Sequence, residues 1–172
     1  MSLRRKNLLL KWLSYSIWLI VLTALQLCLF GKLPLFKATP FLAPAIVTAV
    51  SLFDASTGSV VFSLCTGVMN DALTASNGFY TVAFTVLSVV LIHLEEKAVS
   101  RSRISAMLLA AASTLAVQAI RALLFTFFSQ GAGTAWALLL PELLYSAVLG
   151  IFIVLILSRV DSRFDRNARH RR

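Results

Sequence analysis

Charge is what this chain has least of. Only 13% of its 172 residues are Asp, Glu, Lys or Arg, where soluble domains carry about 25%. The acids are scarcer than the bases, 7 against 16. So little charge excludes an ordinary water-soluble domain and assigns the chain to a bilayer. Histidine is nearly absent: His93 has no second histidine at ligand spacing, which argues against a metal site. The two cysteines, Cys28 and Cys65, both fall in apolar runs and read as small buried hydrophobes. No CxxC, HExxH, GxSxG, phosphate-loop or Asn-x-Ser/Thr pattern occurs, and no nucleophile–base set or paired carboxylates stand out. The expectation is a protein that is not an enzyme and holds no cofactor.

What is there is hydrophobic, 59% of the chain, broken into runs. Met1 to Lys11 carries Arg4, Arg5, Lys6 and Lys11, and Trp12 to Phe30 is then uncharged. Nineteen residues at 1.5 Å each span about 28 Å, close to the roughly 30 Å hydrocarbon core. No A-x-A site follows, so this reads as an uncleaved first span. Gly31 to Pro40 is a connection broken by Pro34 and Pro40. Phe41 to Phe53, holding Pro44, and the stretch from Gly58 to Met69 are both short. They are two thin spans or one re-entrant hairpin. The hairpin would carry Asp54 deep into the membrane, at a cost of about 2.5–3.5 kcal/mol, which favours two spans. Phe79 to Leu94, Ile104 to Phe128 and Ala135 to Leu157 complete six.

The charges test that count. With the N-terminus inside, four basic residues at the start, three between Lys97 and Arg103 and six in the tail from Arg159 to Arg172 are cytoplasmic. Only Lys32 and Lys37 fall outside, and Arg121 lies within a span. This satisfies the positive-inside rule; five spans would export the Arg-rich tail. Bases gathered at membrane edges suit anionic lipid and not nucleic acid. The expectation is an all-α integral membrane protein of six transmembrane helices. It forms a single polytopic domain over 1–172, with a basic cytoplasmic N-terminus (1–11) and a basic cytoplasmic tail (158–172).

Three groups of residues need individual weighing. Ala106, Ala110, Ser113 and Thr114 form a small-residue stripe on the fifth span, suited to close helix packing. Asn70 and Asp71 end the third run. Asp71 either caps the helix that follows, with Asp-x-x-Thr as its start, or marks a mouth where a partner or ligand engages. Arg121 and Glu142 each lie eight residues from the ends of the turn Ser129 to Thr134. Both therefore sit about 12 Å below one surface, as an ion pair, a polar cavity or a contact for a partner helix. Pro141 can kink the last span beside Glu142.

The order Gly58, Gly67-x-x-x-Asp71, Asn77-Gly78-Phe79, a basic loop and a late Leu140-Pro141 resembles the MreD family of bacterial rod shape-determining proteins. About 25 residues carry the motif, while the layout runs over nearly the whole chain. One departure is Phe41 after Pro40, where that family commonly has an acid. The resemblance implies a non-catalytic inner-membrane subunit of the cell-elongation machinery, supporting peptidoglycan synthesis. It also implies partners: an MreC-like bitopic scaffold, the MreB filament, a RodA-type glycosyltransferase and a class B transpeptidase. The implied fold is similar to the substrate-binding subunits of energy-coupling-factor vitamin transporters. On that reading Asp71, Asn70, Arg121 and Glu142 are candidates for a partner contact or pocket, and Gly58, Gly67, Gly78 and Pro141 are structural. The alternative is a vitamin-capture subunit itself, or another small transporter. The first span lacks the Ala-x-x-x-Ala docking stripe that the former uses.

Overall fold

A computed structural model describes residues 3–30, 41–74, 76–97, 103–128, 145–146 and 148–159, and all regular structure among them is helical. Helix α1 is Leu3–Leu25 and runs on into a π-helical turn, Gln26–Phe30. Then come α2 (Ala43–Phe53), α3 (Thr57–Thr74), α4 (Phe79–Lys97) and α5 (Arg103–Phe128). A last helix, α6, covers Val148–Arg159. The connection 31–40, the 129–134 turn, most of the first half of the last span and the tail beyond 159 lie outside the described residues, and Pro141 and Glu142 with them. Among the described residues two stretches are, by length and composition, long and apolar enough to cross a membrane alone, Leu9–Cys28 and Ile104–Leu124.

Helix α2 is the hub. Every residue from Phe41 to Leu52 is buried. Its sequence explains this: Ala, Ile, Val and Leu occupy all sides, and a helix that is apolar all round belongs in a core. Pro44 sits in the first turn, where its missing N–H is not needed. The two N–H groups just before the helix are met from other elements. Phe41 N–H donates to Ser146 Oγ at 2.7 Å, and Leu42 N–H donates to Gln26 Oε1 at 3.3 Å. Gln26 opens the π-helical turn of α1. Lower down, Thr48 bonds Ser113 of α5 (2.6 Å) and Ser51 bonds Ser88 of α4 (2.8 Å). The expected small-residue stripe on α5 is buried: Ala106, Ala110, Ser113 and Thr114 are all inside. Gly150 brings α6 close, since a Cβ there would stand 3.2 Å from the Ala45 methyl.

The interior of the bundle mixes apolar and hydroxyl side chains, and its exterior is apolar. Its interior holds Thr48, Ser51, Ser63, Thr66, Ser88, Thr114 and Gln118 at 1% exposure or less. Its exterior is Leu, Ile and Val: Leu13, Ile17 and Ile20 on α1, Val61, Leu64 and Val68 on α3, Val82, Val86 and Val89 on α4. Monomeric soluble proteins rarely show apolar patches beyond a few hundred Å². Hydroxyls packed between helices, with branched aliphatics outside, are compatible with a lipid solvent, where hydroxyls and small residues join helices.

Candidate functional site: the α3–α4 hairpin

Helix α3 turns a largely polar face inward. Its buried face is Ser59, Phe62, Ser63, Thr66, Gly67 and Asn70, at the three- and four-residue spacing of one helical side. The hydroxyls do not reach for water. Ser63 donates to the Ser59 carbonyl and Thr66 to the Phe62 carbonyl, each at 2.8 Å. Asn70 follows suit, its Nδ2 donating to the Thr66 carbonyl at 2.9 Å. Asn70 is 4% exposed. Asn70, a candidate for a partner contact or pocket, thus has its amide inside and bonded to its own helix.

Gly67 and Asp71 stand one turn apart on the same side and act on the same two residues. A Cβ on Gly67 would fall 2.4 Å from Thr81 Cα and 2.7 Å from the Tyr80 carbonyl oxygen. Only glycine lets the two backbones approach so closely. At that separation the Asp71 carboxylate reaches the start of α4. Its Oδ1 accepts the Tyr80 N–H (2.9 Å) and the Ser76 hydroxyl, and its Oδ2 accepts the Thr81 N–H (2.8 Å) and the Thr81 hydroxyl (2.5 Å). With Phe79 as the first residue of α4, these are the second and third helical N–H groups, the ones a capping residue normally satisfies. An acid at a helix N-terminus also meets the favourable end of the helix dipole.

Asp71 thus caps α4, one of the two roles its sequence position allowed, but in another register. Helix α3 does not stop at Asn70; it runs on to Thr74, so Thr74 of the Asp-x-x-Thr pattern ends α3 instead of opening α4. The cap comes from nine and ten residues back. The chain reverses at Asn77 (φ 51°) and Gly78 (φ 86°), with Phe79 N–H bonded to the Ser76 carbonyl at 3.1 Å. Two consecutive positive φ values explain Asn-Gly at this turn. Nothing lies near the place of a Gly78 Cβ, so backbone conformation alone requires the glycine there.

The hairpin is held at both ends. At the Asp71 end, Tyr80 is buried against Phe41 (ring centroids 4.9 Å) and Phe84 (5.7 Å), with Val47 of α2 and Val117 of α5 in the same cluster. At the other end Gly58 seats Trp12 of α1, since a Cβ would come within 2.5 Å of the indole ring. Trp12 also packs on Tyr15 and Phe62. Beside it Lys11 Nζ pairs with Asp54 Oδ2 at 3.3 Å and lies 5.7 Å from the Tyr15 ring centroid.

Gly58, Gly67, Asp71 and Gly78 come together in one unit. Arg121 belongs to a different element, α5, where its side chain is exposed beside Ile120, Leu123 and Leu124. Its expected partner Glu142 lies outside the described residues, as does Pro141. The cysteine expectation is corrected: Cys28 and Cys65 are free and exposed, on apolar outer faces. Sequence reasoning passed over Trp12, the Lys11–Asp54 pair and the acceptors Gln26 and Ser146 that hold the chain just before α2. Of these, only the opposite charges of Lys11 and Asp54 at two membrane-edge positions gave a signal. Among the described residues no cluster of His, Cys, Asp or Glu could hold a metal ion. The hairpin offers architecture: a carboxylate fully occupied by four donors, and close backbone contact.

No protein-family model, no curated protein and no solved structure matches this chain.

Proposed function

We propose that this chain is a non-catalytic, polytopic subunit of the bacterial inner membrane, serving the cell-elongation machinery as an MreD-like protein. It crosses six times with both termini in the cytoplasm. The apolar exterior of the bundle and the hydroxyls packed inside it support membrane embedding, and the basic residues of the N-terminus, the Lys97–Arg103 loop and the tail support the sidedness. Asp54 pairs with Lys11, near the start of the apolar stretch of α1. That supports an α2–α3 turn at the cytoplasmic face and two spans over a re-entrant hairpin.

The observation that carries the functional reading is the single unit formed by Gly58, Gly67, Asp71 and Gly78. These residues carry the resemblance to the MreD family, and each has a distinct task in building one hairpin. A motif spent on packing and capping suits a protein that works by presenting a rigid bundle to partners. An MreC-like bitopic scaffold is the first of these; the MreB filament, a RodA-type glycosyltransferase and a class B transpeptidase are further ones. The vitamin-capture alternative fits less well, because α1 turns large residues outward, Leu10, Leu13, Ile17 and Ile20, where docking needs small ones.

Affinity purification of the full chain from its own membranes, in mild detergent and with no ligand added, tests the proposal. An MreC-like protein should co-purify in comparable amount. A retained small molecule together with an ATPase-bearing scaffold would overturn it in favour of vitamin capture.

A further inference from the structure

Helix α5 keeps one side to the bundle for most of its length. Ala106, Ala110, Thr114, Val117 and Gln118 share that side, at three- and four-residue spacing, and all are buried. Arg121 continues the row, one turn beyond Val117 and two turns beyond Thr114, and it is exposed. Ile120 and Leu124 beside it are exposed as well. Ala122 is still buried, so the helix remains docked at this height along another side. The covered row opens at Arg121, and a cation stands where the packed interior ends.

Its depth and chemistry point to an acceptor. Helix α5 ends at Phe128, seven residues beyond Arg121, which places Arg121 about 10 Å below that end. A charge is costly in hydrocarbon, and a long side chain near a helix end lifts its charge toward the headgroups. The guanidinium offers five N–H donors in a flat fork that matches the oxygens of a phosphate. One carboxylate, such as the Glu142 expected at the same depth, takes two of them and leaves the rest for a second acceptor. The phosphate of an outer-leaflet lipid already lies at that boundary. A carboxylate on a partner helix would have to bring a second charge into hydrocarbon to meet Arg121. Ile120 and Leu124 give acyl chains an apolar surface next to the charge.

We infer that the outer end of α5 is a lipid-phosphate site, where Arg121 holds the phosphate and the acyl chains lie against Ile120 and Leu124. The inference rests on the membrane embedding and sidedness proposed above.

Lipid-specific quenching tests it at the site itself. The full chain with Ile120→Cys, Cys28→Ser and Cys65→Ala carries a bimane label at position 120. A second version carries the label at Val82→Cys instead, on the exposed face of α4 beside the Asp71 cap. Both are reconstituted in vesicles mixing dioleoyl phosphatidylglycerol with dioleoyl diglucosylglycerol, which has no phosphate, and one lipid is brominated at a time. Quenching at 120 should favour phosphatidylglycerol by about fivefold, the effect of one base near an anionic surface. Arg121→Gln should abolish the preference at 120, and Arg121→Lys should keep part of it. Quenching at 82 should be the same with and without Arg121, which also shows that the variants remain folded. Equal quenching by the two lipids at 120, or a preference that survives Arg121→Gln, overturns the inference. So does quenching at 82 with none at 120, which would put a partner helix or a second copy on this face. Loss of the preference in inorganic phosphate, against chloride of equal ionic strength, would assign the site to the free ion and overturn the lipid. Absence of quenching at both positions would remove the membrane reading, and the inference with it.

Discussion

Replacing Gly67 by Ala adds one methyl at the tightest point of the bundle. That methyl would lie 2.4 Å from Thr81 Cα and 2.8 Å from Thr81 N. The obstructing atoms are backbone, so no side-chain rotation relieves the clash; α3 and α4 must move apart. Overpacking of this kind costs about 1–3 kcal/mol. Separation also lengthens the bonds from Tyr80 and Thr81 to Asp71, and loss of a capping interaction costs about 1 kcal/mol. The total is roughly 2–4 kcal/mol. Asp71→Ala removes the cap while leaving the close approach, at about 1–2 kcal/mol. Because both substitutions act on Tyr80 and Thr81, the double variant should lose less than the sum by at least about 0.5 kcal/mol. Unfolding by SDS in mixed micelles, followed by tryptophan fluorescence, measures all three. A Gly67→Ala variant within about 0.5 kcal/mol of the native chain, or strict additivity with Asp71→Ala, would refute the linkage of packing and capping.

Other consequences follow from the same contacts. Gly78→Ala should destabilise by about 1 kcal/mol through its positive φ alone, with no change in the environment of Trp12. Gly58→Leu should push Trp12 off its seat, which a shift in tryptophan emission would report. The Lys11–Asp54 pair is 17% and 19% exposed at its side chains, so a double-mutant cycle should return about 1 kcal/mol or less, falling with added salt. Thr48→Val should cost about 0.6 kcal/mol, the usual worth of a hydrogen bond between membrane helices, by removing the bond to Ser113.

Part of the architecture was readable in the chain because long apolar runs bounded by charge mark helices by composition. The start of the fourth span at Phe79 agrees with α4, and the Ala106/Ala110 stripe lies inside as small residues in a membrane bundle should. The Asn-Gly turn was legible as a break but not as a pair of positive φ values. The spacing of Gly67 and Asp71 put them on one face, yet their shared target nine to fourteen residues on depends on how tightly two helices approach. Long-range partners were out of reach for the same reason. Phe41 and Ser146 are 105 residues apart, and nothing local marks either as the other's partner. The cysteines illustrate a further limit: an apolar neighbourhood in sequence describes an exposed apolar surface as well as a core, and Cys28 and Cys65 belong to the former.

The central claim is that this bundle serves cell elongation. Depletion of the chain in its own bacterial host, with cell width followed by microscopy over successive generations, tests it most directly. Widening and loss of rod shape, reversed by the native chain and reversed poorly by Gly67→Ala, is the predicted result. Unchanged cell width after complete depletion would contradict the claim.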